Sequence, residues 1–196
     1  MGDEAAGEQA PPARLDEALA AARDPGRALV LYDGLCNVCN AAVQFAVRRV
    51  PPGRVHFASL QSSLAQRVLD ELDARELAFA DRQSDVPSSS LVACGGQVYH
   101  KTQGSVELLK LMTGAYPTLG RIVDAIPRRF RDACYDVFAR NRFRLFGGSE
   151  EVQALPAGSE ELFLDRDEGI HACPMPKRRK TKKSSKPKAR ASVKAD

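Results

Sequence analysis

Apolar side chains along this chain alternate between unbroken runs and helical spacing, and the changeovers mark its elements. Ala28-Leu29-Val30-Leu31-Tyr32 is a continuous apolar run with a glycine near each end. That pattern suits a strand buried on both faces. From Cys39 the apolar positions are Cys39, Ala42, Val43, Ala46, Val47 and Val50, in steps of three and four. They trace one face of a helix, which Pro51-Pro52-Gly53 stops. Val55-His56-Phe57-Ala58 reads as a second strand, and Leu60, Leu64, Val68 and Leu72 mark a second helix by their spacing of four. A polar loop, Asp81 to Ser90, leads to Leu91-Val92-Ala93-Cys94, a Gly95-Gly96 turn and Gln97-Val98-Tyr99, the pattern of a hairpin. Val106, Leu109 and Met112 predict a further helix. Another has Pro127 at its first turn and runs through Phe130, Ala133, Cys134, Val137 and Phe138. Upstream, Leu15 to Arg23 predicts a short Ala-rich helix ended by Asp24-Pro25-Gly26.

The order β-α-β-α-β-β-α-α predicts an α/β fold of the thioredoxin-like kind. It implies a mixed sheet with an antiparallel hairpin at its end, flanking helices, extra C-terminal helices and disordered ends. One such domain is expected over residues 26–147. Residues 1–25 are read as an N-terminal extension, disordered apart from the short helix. Residues 148–176 read as an irregular linker with one apolar scrap, Leu162-Phe163-Leu164, and 177–196 as a disordered basic tail of Lys, Arg, Ser and Pro.

Charge follows the same division. The chain of 196 residues carries a formal +4, but residues 177–196 hold ten Lys and Arg against one Asp. The remainder has 19 basic and 24 acidic side chains and is mildly acidic. Five cysteines (Cys36, Cys39, Cys94, Cys134, Cys173) are an odd number at irregular spacing, a poor framework for secreted disulfides. The expected location is therefore intracellular and cytoplasmic. The basic run Lys177-Arg178-Arg179-Lys180-Thr181-Lys182-Lys183 leaves the nucleus open, and an organelle is not ruled out. No apolar run approaches the roughly 18 residues of a membrane span, so no membrane insertion is expected. Asp3, Glu4 and Glu8 argue against a targeting leader.

Candidate chemistry concentrates in Tyr32-Asp33-Gly34-Leu35-Cys36-Asn37-Val38-Cys39, between the first strand and the first amphipathic helix. A thiol at a helix N-terminus faces unpaired N–H groups and the positive end of the dipole, which favour its thiolate, the nucleophile of disulfide exchange. Cys36 is the expected attacking thiol, exposed at the helix start. Cys39, one turn further in, is placed to resolve the mixed disulfide. Two other readings compete. The pair could be inert core cysteines, or half of a zinc site, although no second pair exists and His56, His100 and His171 stand singly. Asp33 either trades protons with a cysteine and holds the loop, or caps the helix N–H groups. Tyr32 and Gly34 support the loop, Gly34 by letting the backbone turn tightly beside the sulfur.

This stretch resembles the signature of the DCC family of thiol-disulfide oxidoreductases, with Asp33, Cys36 and Cys39 on its Asp-x-x-Cys-x-x-Cys positions. Two more stretches are similar to that family. One is Phe57-Ala58-Ser59-Leu60-Gln61-Ser62; the other runs from Ile126-Pro127-Arg128 through Cys134-Tyr135-Asp136 to Asn141-Arg142-Phe143-Arg144-Leu145-Phe146-Gly147. The resemblance spans about residues 28–147. It implies a thioredoxin-like fold and disulfide exchange with a protein or small-molecule disulfide, electrons coming from a thiol donor and no metal or organic cofactor taking part. Thioredoxin's buried carboxylate, six residues before its first cysteine, corresponds here to Val30, so Asp33 is not a simple stand-in. Val86-Pro87 is a rough counterpart of thioredoxin's cis-proline and reads also as an ordinary loop proline.

The remaining features have plainer readings. Arg140 to Phe146 interleaves arginines with aromatics, as phosphate- or nucleic-acid-binding segments do. The plainer reading is a terminal helix that buries Phe143 and Phe146 while its arginines meet solvent or acidic neighbours. Cys94 and Cys134 read as packing residues, and Cys173 as a thiol in a flexible stretch. The rival to an enzyme is a nuclear or nucleic-acid-associated adaptor acting through the tail, whose binding to polyanions would be weak and salt-sensitive.

Overall fold

The computed structural model describes residues 12–74, 90–149, 152 and 158–168. Pro87, Cys173, the basic tail and residues 1–11 lie outside the described residues, and the first helix begins at Pro12, three residues earlier than the sequence predicts. The elements run β1 (Ala28–Tyr32), α2 (Asn37–Val47), β2 (Val55–Ser59), α3 (Ser63–Glu71), β3 (Leu91–Cys94), β4 (Gln97–His100), α4 (Lys101–Leu111), α5 (Tyr116–Asp124) and α6 (Arg128–Phe146). Helix α1 (Pro12–Arg23) precedes them, and a 3-10 turn (Glu160–Leu162) follows. The four strands form a mixed sheet in the order β2-β1-β3-β4, with β1–β2 parallel and β1–β3 and β3–β4 antiparallel. This is the thioredoxin-like α/β arrangement that the order of elements predicts, with helices on both faces. Among the described residues no helix is long and apolar enough to cross a membrane.

Every residue of β1 and β2 is buried; the unbroken apolar run of β1 requires it, and β2 buries His56 and Ser59 along with its apolar positions. Alternate residues feed two cores. Leu29 and Leu31 join Ala18, Leu19 and Ala22 of α1 and Leu64, Val68 and Leu69 of α3. Ala28, Val30 and Tyr32 join Val43 and Ala46 of α2, Leu111 of α4 and Phe163. Helix α1 is therefore one wall of the sheet, although its sequence was read as an extension.

Segment 158–168 is the larger departure. Phe163 stacks on Phe57 with ring centroids 5.4 Å apart and meets Tyr32 edge-on at 6.3 Å. Leu164 N–H donates to Phe57 O at 3.0 Å, prolonging the sheet's hydrogen bonding beyond β2. The Glu168 carboxylate accepts from Ser63 N–H at 2.7 Å and Leu64 N–H at 2.9 Å, capping the start of α3. Arg14 of α1 pairs with Asp167. What read as an apolar scrap in a linker closes one edge of the core.

Asp165, fully buried, accepts from Ser59 N–H, while burial pushes its carboxyl up to about 7. A proton held more tightly in the folded state than in the unfolded one stabilises below the ordinary carboxylate range, and that contribution is lost as pH rises toward 7. The Asp165→Asn variant is therefore expected to gain on the wild type in urea stability between pH 4 and pH 7. A difference independent of pH would refute the assignment.

Helices α5 and α6 invert the usual pattern. The buried residue of α5 is Gly120, where a Cβ would stand 3.2 Å from Leu109 Cβ, while Leu119 and Ile122 face solvent. Close packing on α4 through a glycine leaves no apolar stripe to read. The buried residues of α6 are Arg131 and Arg142. Phe143 and Phe146 are 37% and 49% exposed, which overturns the expectation that they would be buried, while Arg142 meets an acidic neighbour, Asp33. Cys134 is likewise exposed and not a packing residue.

Candidate active site

Strand β1 delivers Asp33 to the sheet's end, and the chain then turns sharply into α2. The Asp33 carbonyl accepts from Cys36 N–H at 3.2 Å and its Oδ1 from Leu35 N–H at 3.2 Å, which fixes the turn. Gly34 must be glycine at this point. A Cβ there would lie 2.7 Å from Ser59 Oγ and 2.8 Å from Val152. Asn40 Nδ2 donates to Gly34 O at 2.7 Å and Cys36 O at 3.0 Å, locking the turn to the first turn of the helix.

Cys36 is the N-cap of α2. Its Sγ accepts from Cys39 N–H at 3.4 Å, the place usually taken by a Ser or Asp oxygen. Cys36 and Cys39 are both free thiols. The Cys39 thiol donates a further hydrogen bond to the Cys36 sulfur. That bond, with the Cys39 N–H and the Arg142 charge, outweighs burial and pulls the Cys36 thiol down to about 7. The same hydrogen bond and burial drive Cys39 in the opposite direction, well above the ordinary thiol range. One sulfur is prepared to ionise and the other to keep its proton.

Asp33 is not the cap. It is fully buried, and burial raises its carboxyl above the usual range against three opposing partners. Oδ1 accepts from Gln61 Nε2 at 3.0 Å as well as from Leu35, and Oδ2 accepts from Arg142 Nη2 at 2.9 Å. Gln61 in turn accepts from Gly34 N–H at 2.9 Å and Ser59 Oγ at 2.6 Å through Oε1. Tyr32 lies buried just before this turn, its hydroxyl pushed up by burial and by Asp165.

The exposed Cys36 expected from the sequence is not observed, for its exposure is 0%. The chain beyond α6 lies across it. Gly148 forms an antiparallel bridge with Cys36, Ser149 N–H donates to Leu35 O at 2.9 Å, and Asn37 Nδ2 donates to Phe146 O at 2.9 Å. Gly147 makes the exit from the helix at φ 72°. Of the two residues, Cys39 is the partly exposed one.

Arg142, Gln61 and Asn40 were not singled out from the sequence. All three lie within the stretches that resemble the DCC family, Asn40 directly after Cys39 in its signature, which was the available signal. His56 and His100 stand apart from the pair, beside Arg27 and Arg128 respectively. Among the described residues no group of three or more His, Cys, Asp or Glu could hold a metal ion.

The family model described as DCC1-like thiol-disulfide oxidoreductase matches residues 30–148. The uncharacterized protein YuxK of Bacillus subtilis is 35% identical over 140 residues, which is 71% of this chain and 95% of that protein. A chloroplastic DCC family protein of Arabidopsis thaliana is 27% identical over 127 residues, 65% of this chain and 69% of its own. No solved structure matches significantly.

Proposed function

Because the chain belongs to the DCC1-like thiol-disulfide oxidoreductase family, we propose that it exchanges disulfides through Cys36 and Cys39, with Cys36 as the nucleophile. In the reducing direction the Cys36 thiolate attacks a substrate disulfide. A Cys36–substrate sulfur bond forms, the substrate S–S bond breaks, and the first leaving thiolate takes up a proton. Cys39 then gives its proton to Asp33 and attacks Cys36 Sγ. The Cys36–Cys39 bond forms and the second substrate thiolate departs with a proton, passed on from Asp33. The substrate gains two electrons, and a thiol donor afterwards returns the pair to the dithiol. The opposite direction uses the same sulfurs. The substrate is a protein or small-molecule disulfide.

The observation that carries this reading is the position of the Cys36 sulfur as N-cap of α2, accepting the Cys39 N–H. Its test is the rate at which iodoacetamide labels Cys36 as pH is varied, followed by peptide mass spectrometry. A midpoint near 7 is expected. One at the ordinary thiol value of about 8.5 would remove the activated nucleophile and the reading with it.

A further inference from the structure

Arg142 lies 109 residues from Asp33 in sequence, yet its Nη2 sits 2.9 Å from Asp33 Oδ2, and the two side chains are 3% and 0% exposed. Withdrawing a guanidinium and a carboxylate from water is costly. An apolar pair of similar volume commonly holds two elements together at least as well, so anchoring α6 does not by itself account for these charges. Their setting suggests another role. Asp33 opens the turn that carries Cys36, and its other oxygen is already taken by Gln61 and Leu35 N–H. The end of α6 that carries Arg142 also meets this turn at Phe146 O and Gly148. The charged and titratable groups acting on Cys36 are Cys39 on α2, Asp33 on the turn and Arg142 on α6. Asp165, on the segment beyond the 3-10 turn, acts instead on Tyr32.

We propose that Arg142 is a positioning residue of the dithiol site: by clamping the Asp33 carboxylate under the turn, it fixes the proton acceptor of the resolving step and brings a positive charge to the turn that carries Cys36. The inference rests on the disulfide-exchange reading above. Within it, the two members of the pair oppose one another at the sulfur. Arg142 favours the Cys36 thiolate and Asp33 disfavours it. When Cys39 surrenders its proton, Asp33 receives it while Arg142 holds the carboxyl in place.

That opposition gives a test that a purely structural role would not pass. In Arg142→Met the Cys36 labelling midpoint is expected to rise by about one pH unit. In Asp33→Asn, which removes the carboxylate that disfavours the thiolate, it is expected to fall by about half a unit. If the pair only braced the fold, loosening it from either side would move both midpoints toward the free-thiol value of about 8.5. Shifts of the same sign, or none, overturn the proposal. Should Arg142→Met fail to fold, Arg142→Lys replaces it. A midpoint kept near the wild-type value in the lysine variant, with the fall in Asp33→Asn, supports the assignment; a lysine variant titrating as a free thiol rejects it. A wild-type midpoint at the ordinary value sinks the dithiol reading itself. A midpoint near 7 that the variants leave unmoved sinks only the role of Arg142.

Discussion

Replacing Cys36 by Ser is expected to bring catalysed disulfide exchange to background, a loss of about a thousandfold or more, the scale on which removing a covalent nucleophile acts. The loss follows from chemistry more than packing. A serine at the head of α2 can still accept the Cys39 N–H, so the fold should survive, but a hydroxyl at neutral pH has almost no anion with which to attack sulfur. Cys39→Ser should behave differently. Cys36 would still open the substrate disulfide, but nothing would resolve the product, and a Cys36–substrate adduct should accumulate. Turnover of an aromatic disulfide, with intact-mass spectrometry of each variant, reads both outcomes. If Cys36→Ser kept its turnover, or the adduct formed on Cys39, the roles would be reversed or wrong.

The second large effect lies far from the sulfurs. Phe163→Ala is expected to destabilise the protein by about 3–5 kcal/mol, the usual cost of emptying a fully buried phenylalanine site. Phe163 is 1% exposed, stacked on Phe57 of β2 and edge-on to Tyr32 of β1. Removing the ring leaves a cavity along the face of β1 and β2 and loosens the segment that supplies Asp165 and Glu168. Phe146→Ala, truncating a half-exposed ring, should cost under about 1 kcal/mol. Urea denaturation followed by circular dichroism measures both. Equal losses in the two variants would mean that segment 158–168 does not hold its place in solution.

The contrast between these phenylalanines shows where sequence patterns inform and where they mislead. Strand β1 was legible because a strand buried on both faces reads as a continuous apolar run, and β2 was legible despite its buried His56 and Ser59 because Val55, Phe57 and Ala58 keep it mostly apolar. The β3–β4 hairpin was legible because Gly95 and Gly96, both at positive φ, suit a tight turn. The dithiol could be placed because two cysteines fell between such a strand and an amphipathic helix. Asp33 could be named as chemistry, but its partner could not. An arginine in a helix is read as solvent-facing by default, and only a carboxylate left buried at the end of a distant strand draws Arg142 inward. Gly120 defeats the pattern in another way, since a helix that packs through a missing side chain has no stripe to show. Segment 158–168 is too short to signal an element, and its apolar residues acquire meaning only beside Phe57.

One feature of the site bears on how the thiol survives between reactions. Cys36 is poised to be an anion yet has no surface of its own, because Gly147–Ser149 lie over it. An unguarded thiolate is the form that peroxide converts to sulfenic and higher acids. Under the exchange reaction proposed above, the backbone that shuts out a passing oxidant is also what a substrate disulfide has to displace, so that reaction would be confined to encounters able to dislodge three residues of backbone.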